Sequence, residues 1–181
     1  MRIIAGSRKG ARIVAPRGVD TRPTGDRVRE AVFNLVGPVD GADVLDLFAG
    51  SGAMGLEALS RGAARVTFVE SDRAAAETIL RNLDKLRLEG ATVLRDDAGR
   101  KLAADAAVGR RYDLVLIDPP YRMLARLLPT LAAYLPDVTT SEGLVVVESD
   151  SREEPELPLP KRASRRYGSA RVTLFEGGAR D

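Results

Sequence analysis

The tetrapeptide Asp118-Pro119-Pro120-Tyr121 places hydrogen-bond acceptors and a flat ring directly after an apolar run at residues 114–117. Proline lacks an N–H and holds φ near about −65°, so the two prolines fix the backbone and leave carbonyls that only accept. The Asp118 carboxylate also accepts, and the ring of Tyr121 offers a face for stacking. This combination suits a planar ligand with an exocyclic amine, although Asp-Pro and Pro-Pro also occur in turns that end strands.

A glycine-rich turn follows the apolar run that contains Asp46. Its glycines, Gly50, Gly52 and Gly55, have the G-x-G-x-x-G spacing of dinucleotide-binding proteins. Such glycines tolerate positive φ and let a ligand approach the backbone closely. The Asp46 carboxylate, however, would repel a pyrophosphate and attract a cation or an amine. S-adenosylmethionine carries a sulfonium and an ammonium but no phosphate, so the sequence favours it over NAD.

Two further strand ends carry acceptors that fit a nucleoside. Glu70 ends the second predicted strand, where a carboxylate can accept both hydroxyls of a ribose. Asp97 follows the third strand and can accept an adenine amino group while the Ala98 N–H donates to the ring. Asp97 can equally serve as the N-cap of the next helix. Because ligands of open α/β sheets bind beyond the carboxyl ends of the strands, we expect these positions to converge.

Composition narrows the chemistry that is open to the chain. Its 181 residues, 44% hydrophobic and 30% charged, suit one globular domain with at most a short appendage. Cysteine and histidine are absent, which excludes disulfides and histidine-based triads and makes a metal site unexpected. The apolar runs are only strand-sized and residues 1–6 lack a secretory signal, so we expect a cytoplasmic protein without a transmembrane helix.

The first 30 residues are predicted to form a basic appendage. They carry eight basic and three acidic side chains, a net charge of +5, whereas the whole chain carries +2. Such clustering favours a polyanionic partner, although charged runs are often ordinary solvated surface. Turn residues at 6–10 predict a short hairpin over residues 3–14, and apolar residues at helical spacing predict a helix over 28–36. We therefore expect an appendage at 1–37 and a second domain at 38–181.

The second domain is predicted to be an α/β domain. Predicted strands are 44–48, 65–70, 92–94, 112–118 and 143–148, and predicted helices are near 53–61, 72–87, 98–107 and 122–134. Short apolar strands that alternate with helices predict a parallel sheet covered on both faces. Residues 165–167 and 171–175 flank a tight turn and predict an antiparallel hairpin that closes the sheet. The Glu- and Pro-rich residues 151–160 are expected to form an exposed loop.

Taken together, these motifs resemble an amino-methylating class I S-adenosylmethionine-dependent methyltransferase. In that group the tetrapeptide is Asp, Asn or Ser, then two prolines, then an aromatic residue, and here it is Asp118-Pro119-Pro120-Tyr121. Thr21-Arg22-Pro23-Thr24 and Asp26-Arg27-Val28-Arg29-Glu30-Ala31 narrow the resemblance further. Over residues 1–176 the chain is similar to the bacterial RsmD family, the 16S ribosomal RNA guanine-N2 methyltransferases.

The resemblance implies a Rossmann-like, seven-stranded, mostly parallel sheet with an antiparallel C-terminal hairpin, and S-adenosylmethionine as the methyl donor. It implies as partner the ribosomal RNA of the small subunit, within a ribonucleoprotein particle, and a monomeric protein. The implied target-base site is Asp118, Pro119, Pro120 and Tyr121. The implied cofactor contacts are Asp46, Phe48, Gly50, Gly52, Glu70, Ser71, Asp97 and Ala98. The basic arm itself is the candidate RNA-binding element, with Arg8, Lys9, Arg12 and Arg17 predicted to contact phosphates and Arg22 and Thr24 predicted to lie nearer the base.

Other functions remain open on the sequence. A DNA adenine-N6 methyltransferase uses the same tetrapeptide, but 181 residues leave little room for a separate DNA-recognition domain. An NAD-dependent oxidoreductase would use the glycine-rich turn and leave the tetrapeptide unexplained. A non-enzymatic RNA-binding assembly factor would not need an intact cofactor loop.

Overall fold

The computed structural model describes residues 1–15 and 25–178. A seven-stranded sheet with the order β3-β2-β1-β4-β5-β7-β6 forms its centre. The strands are β1 (Asp43–Leu47), β2 (Arg65–Val69), β3 (Ala91–Leu94), β4 (Tyr112–Ile117), β5 (Thr139–Asp150), β6 (Lys161–Tyr167) and β7 (Ala170–Glu176). The helices are α1 (Asp26–Val36), α2 (Ala53–Ser60), α3 (Arg73–Leu86), α4 (Ala98–Ala107) and α5 (Tyr121–Val138).

The pairing of the strands confirms the predicted mixed sheet. Strands β1 to β5 pair in parallel, whereas β7 pairs antiparallel to both β5 and β6. The central strand β1 lies between β2 and β4. Strands β2 and β3 lie on one side of β1, and the later strands, β4 to β7, lie on the other side, so the strand order reverses at β1. Such a switch point opens a crevice at the carboxyl ends of the strands, which is where ligands of open α/β sheets bind.

Two hydrophobic cores cover the two faces of the sheet. The first core contains Leu56 of α2 and Ile79 of α3, together with Phe33 of α1. The second contains Leu102 of α4 and Leu131 of α5. Burial on both faces explains why β1 and β4 are nearly continuous apolar runs rather than alternating ones.

Residues 1–15, which we call the N-terminal arm, fold back on themselves around a 3₁₀ turn at Gly6–Arg8. The Ile3 N–H donates to the Ala11 carbonyl at 2.9 Å, and Arg2 and Arg12 form one antiparallel bridge. The predicted hairpin is therefore present as a single bridge rather than as two regular strands. No helix in residues 1–15 and 25–178 is long and apolar enough to cross a membrane.

Buried charges attach the N-terminal arm to the α/β domain. The Glu57 carboxylate of α2 accepts hydrogen bonds from the Ile4 and Ala5 N–H groups at 2.8 and 2.9 Å. Arg29 of α1 is fully buried, donates to the Arg2 carbonyl and pairs with Asp26 at 2.9 Å. The Asp26-to-Ala31 motif therefore holds the arm against α2. Because a buried ion is costly without partners, these contacts fix where the arm lies.

The C-terminal third differs from the sequence prediction in its boundaries. Helix α5 continues past the predicted end at residue 134, through Pro136, because Leu135 and Val138 are buried in the second core. The loop at 151–160 was predicted to be exposed, which is wrong in part, since Pro155 and Leu159 are buried. Arg171 donates to the Ser151 carbonyl at 3.1 Å and holds this loop against β7.

Candidate active site

A cavity of about 590 Å³ opens at the carboxyl edge of the sheet. The register pairs Leu47 with Ile117 and Ile117 with Val147. The next residues along the three strands, Phe48, Asp118 and Glu148, therefore follow one another across the sheet, and all three line the cavity. Neighbouring strands lie roughly 4.8 Å apart, so these positions meet at one ligand.

The lining of the cavity is strongly acidic. Its acidic residues are Asp46, Glu70, Asp72, Asp96, Asp97, Asp118 and Glu148, and Arg122 is the basic residue among the lining residues that the structure describes. In a recess with few counter-charges, carboxylates repel phosphate and attract cations and amines. The cavity therefore favours a positively charged ligand over a dinucleotide.

The glycine-rich turn uses its N–H groups inside the protein. The Gly50 N–H donates to Glu70 at 2.8 Å, and the Gly55 N–H donates to Asp46 at 2.9 Å. The Gly52 N–H donates to the Ala49 carbonyl at 2.7 Å. A dinucleotide site instead presents backbone N–H groups of this turn to the pyrophosphate. The N–H groups of the three glycines with the G-x-G-x-x-G spacing are thus bonded within the protein.

The backbone of this turn depends on left-handed conformations. Gly50 has φ of 56° and Gly52 has φ of 79°, which glycine adopts at little cost. Phe48 has φ of 59°, a value that is uncommon for a residue with a large side chain. Strain of this kind persists where the surrounding structure enforces it, and it often lies at functional sites. Phe48 lines the cavity at this point.

Asp46 is the most perturbed acid of the site. It lies inside β1 and is 2% exposed. Burial raises the pKa of its carboxyl group to about 8, the Gly55 hydrogen bond opposes that rise, and the negative charges of Asp118 and Glu70 add to it. A perturbed acid in a cleft is a candidate functional group. A cation bound beside Asp46 would favour the ionised carboxylate.

Glu70 and Asp97 are both held by backbone donors at the rim of the cavity. The Glu70 oxygens accept from the N–H groups of Gly50 and Asp72, each at 2.8 Å. A carboxylate has about four acceptor positions, so Glu70 keeps capacity for ribose hydroxyls. Asp97 accepts from the Arg100 N–H at 3.0 Å as the N-cap of α4. The structure thus contains the capping arrangement. The adenine contacts of Asp97 and Ala98 stay predictions, as does the cofactor contact of Ser71.

The tetrapeptide links the end of β4 to the start of α5. Pro119 is buried, Asp118 and Tyr121 are half-buried, and all four residues line the cavity. The Tyr121 hydroxyl donates to Glu148 Oε1 at 3.3 Å. Glu148 is 8% exposed and was not among the residues that the sequence predicted. It ends a predicted strand just as Glu70 does, so the reasoning that identified Glu70 could also have found Glu148.

The arm residues divide into structural and exposed basic side chains. The Arg8 guanidinium donates to the carbonyls of Leu86 and Arg87 at 2.5 and 3.0 Å, and so caps the C-terminus of α3. Lys9 and Arg12 are exposed. The predicted RNA contacts Arg17, Arg22 and Thr24 lie outside the described residues.

The arm also reaches the rim of the cavity. Buried Asn82 of α3 accepts from the Val14 N–H at 2.8 Å and donates to the carbonyls of Val14 and Ser51 at 2.9 and 3.1 Å. One side chain thereby joins the arm to the glycine-rich turn. Met1 and Ala15 line the cavity as a result.

Comparison with known proteins identifies close relatives. The chain is 40% identical over 185 residues to the putative rRNA methyltransferase YlbH of Bacillus subtilis, covering 97% of this chain and 98% of the relative. It is 42% identical over 153 residues to ribosomal RNA small subunit methyltransferase D of Escherichia coli K12, covering 83% and 75% of the two chains. The solved structure of the putative methyltransferase yhhF from Escherichia coli matches with a TM-score of 0.84 at 35% identity and covers 99% of both chains.

The family assignment agrees with these similarities. Residues 1–176 match the model of a family described as conserved hypothetical protein 95. That match includes the N-terminal arm and the whole sheet, and the solved structure of yhhF shares the fold over nearly the full chain. The resemblance seen in the sequence is thus confirmed, and the chain belongs to the RsmD family of methyltransferases.

Proposed function

We propose that this protein transfers a methyl group from S-adenosylmethionine to the exocyclic N2 amine of a guanine in the ribosomal RNA of the small subunit. The coarser activity, methyl transfer to ribosomal RNA, follows from membership of the family and from relatives with that name at 40% and 42% identity. The observation that carries the finer proposal is the placement of Asp46 and Asp118 in one acidic cavity. One carboxylate suits a cationic methyl donor, and the other suits an amine.

The residues of the cavity fit S-adenosylmethionine. Asp46 and the turn at Gly50 and Gly52 would hold the charged methionine end, Glu70 the ribose, and Asp97 with Ala98 the adenine. Backbone hydrogen bonds already orient Glu70 and Asp97, so little ordering is needed when the cofactor binds. When bound, the cofactor supplies an electrophilic methyl group on a sulfonium.

The tetrapeptide would orient the target base. The N2 lone pair of guanine is delocalised into the ring, which makes the amine a poor nucleophile. The Asp118 carboxylate and the Pro119 carbonyl would accept its two hydrogens and aim the lone pair, while Tyr121 stacks on the ring. Stacking of this kind contributes roughly 1–3 kcal/mol. Orientation lowers the barrier by reducing the entropy cost of reaction. No strong base is required, because the amine proton becomes acidic as the nitrogen forms its new bond.

The substrate would be an unstacked guanine in a ribonucleoprotein particle in the cytoplasm, bound by a monomer of this protein. A base in a duplex cannot reach a recessed cavity, so a loop nucleotide or a flipped base is required. The arm at the rim of the cavity would contact phosphates near that base.

Labelled S-adenosylmethionine tests the proposal. The protein is incubated separately with small-subunit particles, naked ribosomal RNA, DNA and protein, and the labelled nucleosides are separated after digestion. We expect label in N2-methylguanine of the small-subunit RNA. Label in N6-methyladenine of DNA would support the rival methyltransferase, and the absence of label in every fraction would leave only a binding role.

The exposed basic residues of the arm are expected to contribute to RNA affinity. Replacing both Lys9 and Arg12 by alanine should weaken RNA binding several-fold at low salt and reduce the slope of log affinity against log salt by about 1.4–1.8, since each phosphate contact contributes about 0.7–0.9. Filter binding at salt concentrations from about 50 to 300 mM, the range over which such contacts are screened, measures both quantities.

The matched control for the arm is the double variant of two exposed basic residues far from it. Arg111 precedes β4, and exposed Arg162 of β6 lies beside Glu176, which pairs with the first half of β5, so both are at the edge of the sheet opposite the cavity. Replacing both residues by alanine removes the same charge as the arm variant does. The slope of log affinity against log salt should nevertheless stay steeper than in the arm variant. Equal slopes for the two double variants would show that net charge alone matters and would refute a specific role of the arm.

A further inference from the structure

We propose that Glu148 selects guanine by accepting the hydrogen of its N1 imino group. This inference rests on the proposed function, because it assigns a recognition role within the same cavity. Glu148 is not part of the tetrapeptide, lies on β5 and is 8% exposed. Its carboxylate reaches the cavity from the strand next to the one that carries Asp118.

The register of the sheet places Glu148 beside Asp118. Ile117 pairs with Val147, so each carboxylate stands one residue beyond a paired position on adjacent parallel strands. Residues two before them, Leu116 and Val146, both belong to the first core. Side chains alternate between the faces of a strand, so the two carboxylates project from the same face. Both carboxylates can therefore reach toward one edge of the same base from adjacent strands.

The Watson–Crick edge of guanine fits this pair of acceptors. Guanine presents its N2 amine next to an N1–H, and both are donors, whereas adenine presents an N6 amine next to N1, which is an acceptor. An ionised carboxylate only accepts hydrogen bonds. If Asp118 accepts a hydrogen bond from the amine, Glu148 would accept one from the N1–H of guanine. With adenine, the Glu148 carboxylate would instead face the lone pair of N1, which repels it. A site built to bond a donor rejects analogues that lack it, because a buried group is then left unpaired.

The hydrogen bond from Tyr121 orients Glu148 for this role. The Tyr121 hydroxyl donates to Oε1 at 3.3 Å, which turns the carboxylate toward the ring that would stack on the base. Tyr121 would thus have two functions, stacking through its ring and positioning Glu148 through its hydroxyl. A purely structural role of Glu148 would be limited to contacts within the protein, such as this hydrogen bond.

The test changes the hydrogen-bonding group on each side of the contact. The substrate RNA is prepared with either guanine or 2-aminopurine at the nucleotide that the wild-type protein is first shown to methylate. The analogue keeps the N2 amine, has an acceptor at N1 and lacks the O6 carbonyl. The contact to N1 is therefore read from the change that Glu148→Gln makes in the rate ratio rather than from the wild-type ratio itself. Single-turnover rates are measured for the wild type, Glu148→Gln and Tyr121→Phe at saturating S-adenosylmethionine. The glutamine variant keeps the size of the side chain and can donate to N1.

We expect the wild-type protein to methylate guanine about tenfold to hundredfold faster than 2-aminopurine, and Glu148→Gln to reduce that ratio at least about tenfold. Tyr121→Phe should lower the methylation rates of both substrates, and it should change the ratio of the two rates less than Glu148→Gln does. A ratio that Glu148→Gln leaves unchanged, with both rates equally reduced or equally retained, would overturn this inference while the proposed function stands. If the wild type methylates no guanine N2, the proposed function fails and this inference fails with it.

Loss of folding is separated from loss of recognition by two measurements. The selectivity ratio compares two substrates on one variant, so a smaller active fraction cancels from it. Thermal unfolding and S-adenosylmethionine affinity of Glu148→Gln should both remain close to the wild-type values. If the glutamine variant does not fold, Glu148→Asp provides the second variant. Its shorter carboxylate should slow guanine more than 2-aminopurine, and equal slowing of both would overturn the inference.

Discussion

Replacing Asp118 by alanine is expected to lower single-turnover methyl transfer by about 10²–10³-fold, the effect of removing one well-placed hydrogen-bonding group from a preorganised site. The affinity for S-adenosylmethionine should change only a few-fold. The reason is the proposed arrangement of the cavity, in which Asp118, directly after β4, would face the base, while Asp46 in β1 and Glu70 directly after β2 would face the cofactor. Rapid-quench kinetics and equilibrium titration measure the two quantities separately.

Two further variants make the result for Asp118 interpretable. Asp118→Asn keeps an acceptor oxygen, so its rate should fall between those of the wild type and Asp118→Ala. Asp84→Ala removes an exposed carboxylate from α3 and should retain the wild-type rate. Near-normal turnover of Asp118→Ala with unchanged cofactor affinity would show that the amine is oriented by other groups.

The sequence contains enough information to predict the residues at the strand ends. Asp46, Glu70 and Asp118 each follow or end an apolar run, and the carboxyl ends of parallel strands share one edge of a sheet. Their convergence in one cavity therefore follows from local patterns plus a general rule of topology. The antiparallel hairpin was predictable for a similar reason, because a tight turn at Gly168 joins two adjacent β segments.

Contacts between distant segments could not be predicted. Arg8 was interpreted as an RNA contact, yet 78 residues separate it from Leu86, whose carbonyl it caps. Arg29 occurs in a charged motif that is typical of a solvated helix, but it is fully buried at the junction of α1, α2 and the arm. In both cases tertiary packing decides whether the basic side chain is buried and bonded within the protein or exposed to a ligand. The neighbouring residues in the sequence do not distinguish these two outcomes.

The internal bonding of the glycine-rich turn was also not visible in the sequence. Gly50, Gly52 and Gly55 have the dinucleotide spacing, and their ability to hold a phosphate depends on whether their N–H groups are available. Glu70 and Asp46 take two of these groups. The same two carboxylates that favour a cationic ligand therefore also occupy two glycine N–H groups of the turn that could otherwise bind a phosphate.

Replacing Asp46 by asparagine is expected to weaken S-adenosylmethionine binding at about pH 7.5 by about tenfold or more and to remove most of its pH dependence. Burial raises the pKa of Asp46 to about 8, so the carboxyl group is largely protonated in the empty site below that pH. A bound cation lowers this pKa, and binding then releases a proton. Affinity of the wild type should rise from about pH 6 to about pH 7.5, by at most about tenfold per pH unit.

Isothermal titration in buffers of different ionisation enthalpy measures the released proton directly. The asparagine variant should release less proton and show nearly constant affinity, and Asp84→Asn is the control for a carboxylate in an exposed position. A wild-type affinity that does not change over this pH range would contradict the role of Asp46 as the partner of the positive charge.

The same substitution should have the opposite effect on stability. The pKa of Asp46 is about 8 in the folded protein against the ordinary value of 3.8, so the folded state holds a proton that the unfolded state has lost between these pH values. Stability contributed at this site therefore decreases as pH rises from about 4 to about 8. An asparagine side chain at this position is neutral at every pH, so the melting temperature of Asp46→Asn should exceed that of the wild type by an amount that grows over this window. Each kcal/mol corresponds to about 2–4 °C for a domain of this size.

If Asp46→Asn is more stable without cofactor and binds the cofactor less tightly, then the buried carboxylate of Asp46 is the group that lowers the stability of the empty site. In the proposed site the bound cation would offset that loss of stability, because it would lower the pKa of Asp46 again. Melting temperatures with and without saturating S-adenosylmethionine at a pH of about 8, the pKa of Asp46, test this directly, since the cofactor should raise the wild-type value more than that of Asp46→Asn. If the variant instead melts below the wild type at that pH without cofactor, the hydrogen bond from Gly55 to an ionised Asp46 outweighs the burial of its charge.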